Sequence, residues 1–198
     1  MRKLKLQVQM SVDGYIADTN GRTGWMLWNW GEEWIWDDVL KKYFNDLTAS
    51  VDCVLLSRKM AEEGFIAHWA KVAERLDDPQ AAFASKIAEA NKVVFTKTLH
   101  SSDPVVSGWR NTVLAKGNLA EEINQLKKQE GKDLIVYGGA SFVSSLLGQN
   151  LIDELQLFIN PVAIGSGMKI FNERTKLKLL NAQLFDCGIT VLKYESSK

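Results

Sequence analysis

The sequence is short of nearly everything that marks an unusual protein. It has only three prolines in 198 residues. No Pro-rich or Gly/Ser-rich linker, charge block or internal repeat interrupts it, so residues 1–198 are expected to form a single domain. There are two cysteines, Cys53 and Cys187, with no CxxC and no metal-ligand spacing. They are expected to be buried thiols of a reducing compartment, not a disulfide, and no metal site is expected. Lys+Arg and Asp+Glu both number 24, so the net charge is zero. That balance removes the overall electrostatic case for nucleic acid or an anionic membrane. No stretch is long and apolar enough to span a bilayer, and MRKLKLQVQM alternates where a signal peptide would be continuously apolar. A cytoplasmic protein is the expectation. The two histidines, His68 and His100, stand apart from any Ser, Cys or acidic constellation, and no hydrolase triad can be assembled.

What is present centres on DLIVYGGASFVSSLL, Asp133 to Leu147. Leu134, Ile135 and Val136 read as a buried strand. Gly138–Gly139 follow Tyr137, and Ala140, Ser141 and Phe142 open a helix with Phe142, Val143, Leu146 and Leu147 at helical spacing. A strand, a glycine turn and a helix N-terminus put unpaired N–H groups beside a gap free of side chains, which suits phosphate. The plainer reading is a tight turn of any α/β protein, because a lone Gly-Gly is weaker than a full glycine fingerprint.

Similar signals recur upstream. Leu4, Leu6, Val8 and Met10 alternate with polar residues as a first, half-exposed strand, and turns are expected at Asp13–Gly14 and Asn20–Gly21. Val51 to Leu56 reads as a buried strand running into Ser57, Arg58, Lys59 and a short helix through Glu63. Two cations at a helix start oppose the macrodipole, and a bound anion would remove the conflict; a solvated basic pair is the alternative. A helix is expected over Pro79–Ala90, with Pro79 in its first position and Asp77 or Asp78 as cap. The strand Val93–Phe95 ends in Thr96, Lys97 and Thr98. A short strand at Val113–Leu114 and a helix over Leu119–Gln129 precede the glycine motif. Alternating strands and helices argue for a mostly parallel α/β sheet, in which ligands bind beyond the carboxyl ends of the strands. Later, Leu155, Leu157 and Ile159 alternate, and Ala182–Asp186 and Ile189–Tyr194 flank Cys187–Gly188 as a hairpin.

Five of the seven tryptophans lie between Trp25 and Trp36, ahead of a helix expected from near Glu32 to Ala49 with Trp36, Val39, Leu40, Tyr43, Phe44 and Leu47 on its apolar face. They are either core or an aromatic wall, including Trp30, over a flat ring-shaped substrate.

These segments, SVDGYIA, S-R-K after a strand, KVVFTKTL, IVYGGASFVSSLL and IDELQLFINPVAIGSGMKIF, occur in the order of the dihydrofolate reductase-like fold. More closely, the chain resembles the reductase domain of the bifunctional riboflavin-biosynthesis deaminase-reductase and its stand-alone bacterial relatives, from about Lys3 to Glu195. The resemblance implies one α/β domain, a mostly parallel twisted sheet with flanking helices and a C-terminal antiparallel hairpin. It implies NADPH, with Gly138, Gly139, Ala140, Ser141 and Phe142 at the pyrophosphate, Arg58 and Lys59 facing phosphate, Thr96, Lys97 and Thr98 near the 2′-phosphate, and Ile16 and Ala17 at the nicotinamide. It also implies a central first strand, so that Gln9 faces either the cleft and substrate or a structural partner. A homodimer through the apolar C-terminal strands is implied as well. The chain departs from the family pattern at Ser57, where glycine is usual and a side chain would crowd phosphate, and at Met60, where threonine is usual.

The activity so implied is hydride transfer to a small heterocyclic or ribityl substrate, pterin-like or a phosphoribosylaminouracil. Asp13, or Asp37 or Asp38 on the Trp-rich helix, would supply the proton, which a raised carboxyl pKa in an aromatic pocket would suit. The competing reading is a nucleotide-binding or interaction module that keeps the fold without efficient turnover.

Overall fold

The structure is a computed structural model that describes residues 1–31 and 33–196. In chain order the elements are β1 (Leu4–Met10), α1 (Asp38–Ala49), β2 (Val51–Ser57), α2 (Arg58–Glu62), α3 (Phe65–Ala73), α4 (Ala81–Glu89) and β3 (Asn91–Phe95). Then come α5 (Pro104–Ser107), β4 (Thr112–Ala115), α6 (Leu119–Lys128), β5 (Asp133–Val136), α7 (Ala140–Gly148), β6 (Glu154–Ile159), β7 (Leu177–Leu184) and β8 (Thr190–Ser196). The fold is α/β, with mostly parallel strand pairing, antiparallel C-terminal strands and flanking helices.

Packing divides the chain into two units, Met1–Arg2 with Tyr43–Gly139, and Lys3–Lys42 with Ala140–Lys198. In the first, β4, β3, β2 and β5 lie side by side in that order, all parallel. Val54, Leu55, Leu56, Val94, Leu134, Ile135 and Val136 are wholly buried, as short runs of β-branched and aliphatic residues covered on both faces should be. Beside them an aromatic cluster forms from Phe44, Phe65, Trp69, Phe83 and Tyr137. The Phe44–Phe83 and Trp69–Phe83 ring centroids are 4.7 and 4.6 Å apart, and Phe65 stacks on Tyr137 at 6.1 Å.

Two helices here depart from expectation. No helix is expected from sequence between Gly64 and Asp78, yet α3 occupies Phe65–Ala73, with Phe65, Ile66, Trp69 and Val72 buried at helical spacing. α4 starts at Ala81, not Pro79, because the Asp78 carboxylate accepts from the Gln80 N–H at 2.9 Å and the Asp78 carbonyl from Ala81 N–H, so a turn takes those residues first. Buried Lys92 donates to the carbonyls of Ala88 and Ala90 at 3.0 and 2.8 Å, closing the C-terminal end of α4. Burial lowers its pKa to about 8.

In the second unit the order is β1–β6–β8–β7, with β1 and β6 parallel and β6–β8 and β8–β7 antiparallel. The expectation of a half-exposed first strand is corrected: Lys5 and Gln7 are as buried as their apolar neighbours. Alternating polarity marked two different buried faces, not core and solvent. The C-terminal hairpin forms as expected, its turn closed by Phe185 N–H to the Ile189 carbonyl at 3.0 Å. Cys53 and Cys187 are both free, but Cys187 is only half-buried, against the expectation of two buried thiols.

The Trp-rich stretch is not helical over residues 33–37, and Glu32 lies outside the described residues. Helix α1 begins at Asp38, so Trp36 precedes it and Val39 is 60% exposed instead of facing the core. Trp28, Trp34 and Trp36 are buried against one another, with centroids 4.9 Å apart for Trp28–Trp34 and 5.0 Å for Trp28–Trp36, and Trp36 stacks on Phe158 at 5.5 Å. These three are core ballast.

Candidate functional site

Because β4, β3, β2 and β5 are parallel, their carboxyl ends share one edge of the first unit. The segments that leave this edge are Lys116–Gly117, Thr96–Thr98, Ser57–Lys59 and Tyr137–Gly139. Three of the sequence-predicted clusters therefore meet along it. Gly138 has φ 157°, and a Cβ placed there would meet no atom within 4 Å. Gly139 follows at φ 85°, in the left-handed region that side chains disfavour. The backbone at this turn thus borders open space, and α7 starts at the next residue with first-turn N–H groups that have no acceptor inside the helix. Such a cradle fits a phosphate diester.

Ser57 does not crowd this edge. It has an extended backbone (φ −71°, ψ 154°) and caps α2, its hydroxyl accepting from the Met60 N–H at 3.2 Å. The conflict between Arg58, Lys59 and the helix dipole is relieved within the helix: Arg58 pairs with Glu62 at 2.7 Å and Lys59 with Glu63 at 3.6 Å. Exposed pairs of this kind are worth at most about 1 kcal/mol. No anion is needed to explain those cations. Thr96 is buried, and its Oγ1 accepts from the N–H groups of Thr98 and Leu99 at 3.1 and 3.0 Å, which fixes the turn that presents Lys97.

The remaining sequence-predicted residues fall in the second unit. Ile16 and Ala17 are buried, and a two-bond bridge ties them to Met168: Ile16 N–H to the Met168 carbonyl at 2.9 Å, and Met168 N–H to the Ala17 carbonyl at 2.8 Å. Asp13 is exposed and accepts from the N–H groups of Gly165 at 2.7 Å and Ile164 at 3.2 Å. Its hydrogen bond with the Ser11 side chain, aided by these N–H groups, holds its carboxyl below the ordinary 3.8. Asp37 is the acceptor for Leu40 N–H at 2.9 Å and Cys187 N–H at 3.1 Å. Burial raises its pKa, the hydrogen bonds outweigh that, and the net shift is downward. The expected raised carboxyl is therefore found at neither residue. Asp38, at the first position of α1, has a side chain 99% exposed beside Lys41, in solvent and not in an aromatic pocket.

Gln9 has structural partners at both ends of its amide. Its NH2 donates to the Trp28 carbonyl and its Oε1 accepts from Asn160 at 3.2 Å. Trp30 has φ 71° and is 36% exposed, at the margin of the tryptophan cluster. Ser141 lines a groove of about 760 Å³ between α7 and residues 170–176, with Ser144, Asn150, Arg174 and Lys176. Phe142 lies in the first turn of α7.

Two residues that position this unit escaped the sequence reading. Asn160 is wholly buried at the end of β6, and Gly167 approaches the Ala17 backbone. The signal for Asn160 was present: an amide closing an apolar strand directly before Pro161 must spend its hydrogen bonds inside.

The Asp37 arrangement carries a pH prediction. A carboxyl whose folded pKa is depressed contributes stability above its unfolded value, and loses it as pH falls through the folded value. Acid unfolding below about pH 4 is expected to include this loss. Asp37→Asn should lower the melting temperature at pH 7 and flatten its fall between pH 5 and pH 3, read by circular dichroism. An unchanged acid limb would contradict the assignment.

Among the described residues, no group of three or more His, Cys, Asp or Glu is placed to hold a metal ion, and no helix is long and apolar enough to cross a membrane. Comparison with known proteins decides the family: the model of the RibD C-terminal domain matches residues 2–191. The chain belongs to the RibD C-terminal domain family. It is 28% identical over 198 residues to the uncharacterized protein YyaP of Bacillus subtilis, covering 98% of this chain and 94% of YyaP. A solved structure of a Shewanella sp. PV-4 protein aligns with TM-score 0.70 at 20% identity, over 99% of each chain. A Thermotoga maritima diaminohydroxyphosphoribosylaminopyrimidine deaminase/5-amino-6-(5-phosphoribosylamino)uracil reductase aligns with TM-score 0.65 at 17% identity, over 99% of this chain and 57% of that one. At these identities the two structures share the RibD C-terminal fold.

Proposed function

We propose that this RibD C-terminal family member is an NADPH-dependent reductase of a small heterocyclic substrate, pterin-like or resembling 5-amino-6-(5-phosphoribosylamino)uracil. The observation that carries the reading is the glycine turn after β5, where Gly138 borders empty space at the carboxyl edge of four parallel strands. Its membership of the family, and the reductase activity named for the Thermotoga maritima relative, support it. Bound NADPH would supply the hydride. Within the first unit, the backbone of Gly138 and Gly139 would hold the pyrophosphate. Within the second, the bridge to Met168 holds Ile16 and Ala17, the residues that the family resemblance puts at the nicotinamide, in register. Asp13 acts in this scheme as an anchor of the Ile164–Gly165 backbone, since an exposed carboxyl with a lowered pKa is a poor acid at neutral pH.

That commitment of Asp13 and Asp37 to backbone N–H groups favours a second reading, a nucleotide-binding module with little turnover. One experiment separates the two. NADPH is titrated by quenching of tryptophan fluorescence, then its oxidation is followed with pterin, flavin-precursor and quinone acceptors. Binding with turnover supports the reductase; binding without turnover on any acceptor supports the module; no binding overturns both. Gly138→Val, which fills the open space and places a branched side chain at φ 157°, is expected to weaken binding at least tenfold while the melting curve stays cooperative.

A further inference from the structure

The groove between α7 and residues 170–176, about 760 Å³ in volume, has no part in the chemistry described above. Its size falls in the range of small-molecule sites. Every residue that lines it belongs to the second unit. Local contacts set its walls. Gly148, the last residue of α7, is exposed, and a Cβ placed there would meet no atom within 4 Å. Opposite, Ser144 Oγ donates to the carbonyl of wholly buried Ile170 at 2.8 Å, which pins the start of the facing segment to the helix. Further along that segment the Thr175 hydroxyl donates to the Glu173 carbonyl at 3.4 Å across a bend.

The polar groups of the groove are unspent. Among the described residues, Arg174 and Lys176 have no carboxylate within ion-pair distance and Glu173 has no cation, whereas the next lysine, Lys178, has Glu195 at 3.8 Å. The side-chain amides of Asn150 and Asn172 make no hydrogen bond among these residues either. The set divides into two chemistries. A guanidinium and an ammonium suit a phosphate monoester dianion, the first by its fork of donors and the second as a point charge. A carboxylate repels phosphate but accepts from hydroxyl groups, and an amide both donates to them and accepts from them. Bare phosphate would leave Glu173, Asn150 and Asn172 unused. A neutral sugar would leave both cations unused. One small molecule that carries a phosphate and several hydroxyl groups satisfies all five.

We infer that the groove between α7 and residues 170–176 is a binding site for a sugar phosphate, with Arg174 and Lys176 on the phosphate and Glu173, Asn150 and Asn172 on the hydroxyl groups. The inference does not depend on the dinucleotide reading above.

Dissociation constants for ribose 5-phosphate, glucose 6-phosphate, inorganic phosphate, ribose and NADPH are measured by calorimetry for the wild type, Arg174→Met, Lys176→Met, Glu173→Ala and Gly148→Phe, each with a melting curve. At least one of the two sugar phosphates should bind the wild type about tenfold or more tighter than phosphate or ribose. Arg174→Met and Lys176→Met should each weaken it about tenfold. Glu173→Ala should weaken the sugar phosphate without weakening inorganic phosphate, which separates recognition of hydroxyl groups from recognition of charge. Gly148→Phe puts a ring into the open space and should abolish binding with an unchanged melting temperature. NADPH affinity should be the same in all five proteins. Inorganic phosphate binding as tightly as either sugar phosphate overturns the inference, because the groove is then a bare anion contact. Absence of wild-type affinity for both sugar phosphates overturns it, as does affinity unchanged in Arg174→Met, Lys176→Met and Gly148→Phe. A fall in NADPH affinity in those variants gives the cations to the dinucleotide and overturns it as well. Failure of the wild type to bind NADPH, with the sugar-phosphate results as expected, overturns the dinucleotide reading alone.

Discussion

Gly167→Ala is expected to lower the melting temperature by roughly 10 °C and to abolish dinucleotide binding, although it adds one methyl group. A Cβ at this position would lie 2.1 Å from the Ala17 carbonyl oxygen and 3.2 Å from its carbon, with Ile164 Cδ1 also at 3.2 Å. The nearest obstacle is backbone, which has no rotamer to move to. Relief must come from separating residues 16–17 from Met168, which breaks the two bonds of that bridge. Overpacking costs about 1–3 kcal/mol and each of the two lost hydrogen bonds about 1 kcal/mol, together about 3–5 kcal/mol. At this chain length each kcal/mol shifts the melting temperature by about 2–4 °C. Gly165 provides the control. It has φ 76° and open space around its Cβ position, so its alanine variant carries only local backbone strain. A Gly167→Ala protein that melts within 2 °C of the wild type would show that the approach is not obligatory.

Asn160→Ala is expected to be of similar size and to act on a different part of the molecule. The side chain is wholly buried. Its Oδ1 accepts from Leu27 N–H at 2.9 Å, and its NH2 donates to Gln9 Oε1 at 3.2 Å and the Phe158 carbonyl at 3.4 Å. Gln9 in turn donates to the Trp28 carbonyl. Asn160 therefore fastens the Trp-rich segment to β1 and β6. Truncation leaves buried donors and acceptors without partners, a loss of about 2–4 kcal/mol. Because Trp28 stacks on Trp34 and meets Trp36 edge to face, the near-ultraviolet dichroism should weaken and tryptophan emission shift to the red well below the melting temperature. Gln9→Ala combined with Asn160→Ala should cost less than the sum of the two, since both act on one network. An unaltered aromatic spectrum would refute this role.

The fold was readable where a single local rule governs. The runs at Val51–Leu56 and Leu134–Val136 are strands because only a sheet covered on both faces buries such residues. The hairpin around Gly188 follows from its turn chemistry. Periodicity failed where polarity did not report exposure. Lys5 and Gln7 are buried, so β1 looked half-wet and is not. It failed again for Trp36, whose helical spacing with Leu40 and Phe44 is fortuitous. Ring packing against Trp28 and Phe158 places Trp36, in chain that is not helical. For the candidate site, spacing identified which segments leave the carboxyl edge. It could not reveal that Arg58 and Lys59 have glutamate partners one turn along, because compensation depends on side-chain direction in space. Nor could it anticipate Gly167, whose requirement arises from a backbone 150 residues away and not from its own torsions.

The carboxylate of Asp37 has one oxygen on the first turn of α1 and the other on the turn between β7 and β8. A helix and a hairpin far apart in sequence thus lean on the same small group. The second attachment falls at Cys187, a half-buried thiol. Any adduct on that sulfur that draws its amide outward would slacken both tethers together, fraying the start of the helix from a position where no helical residue had been touched.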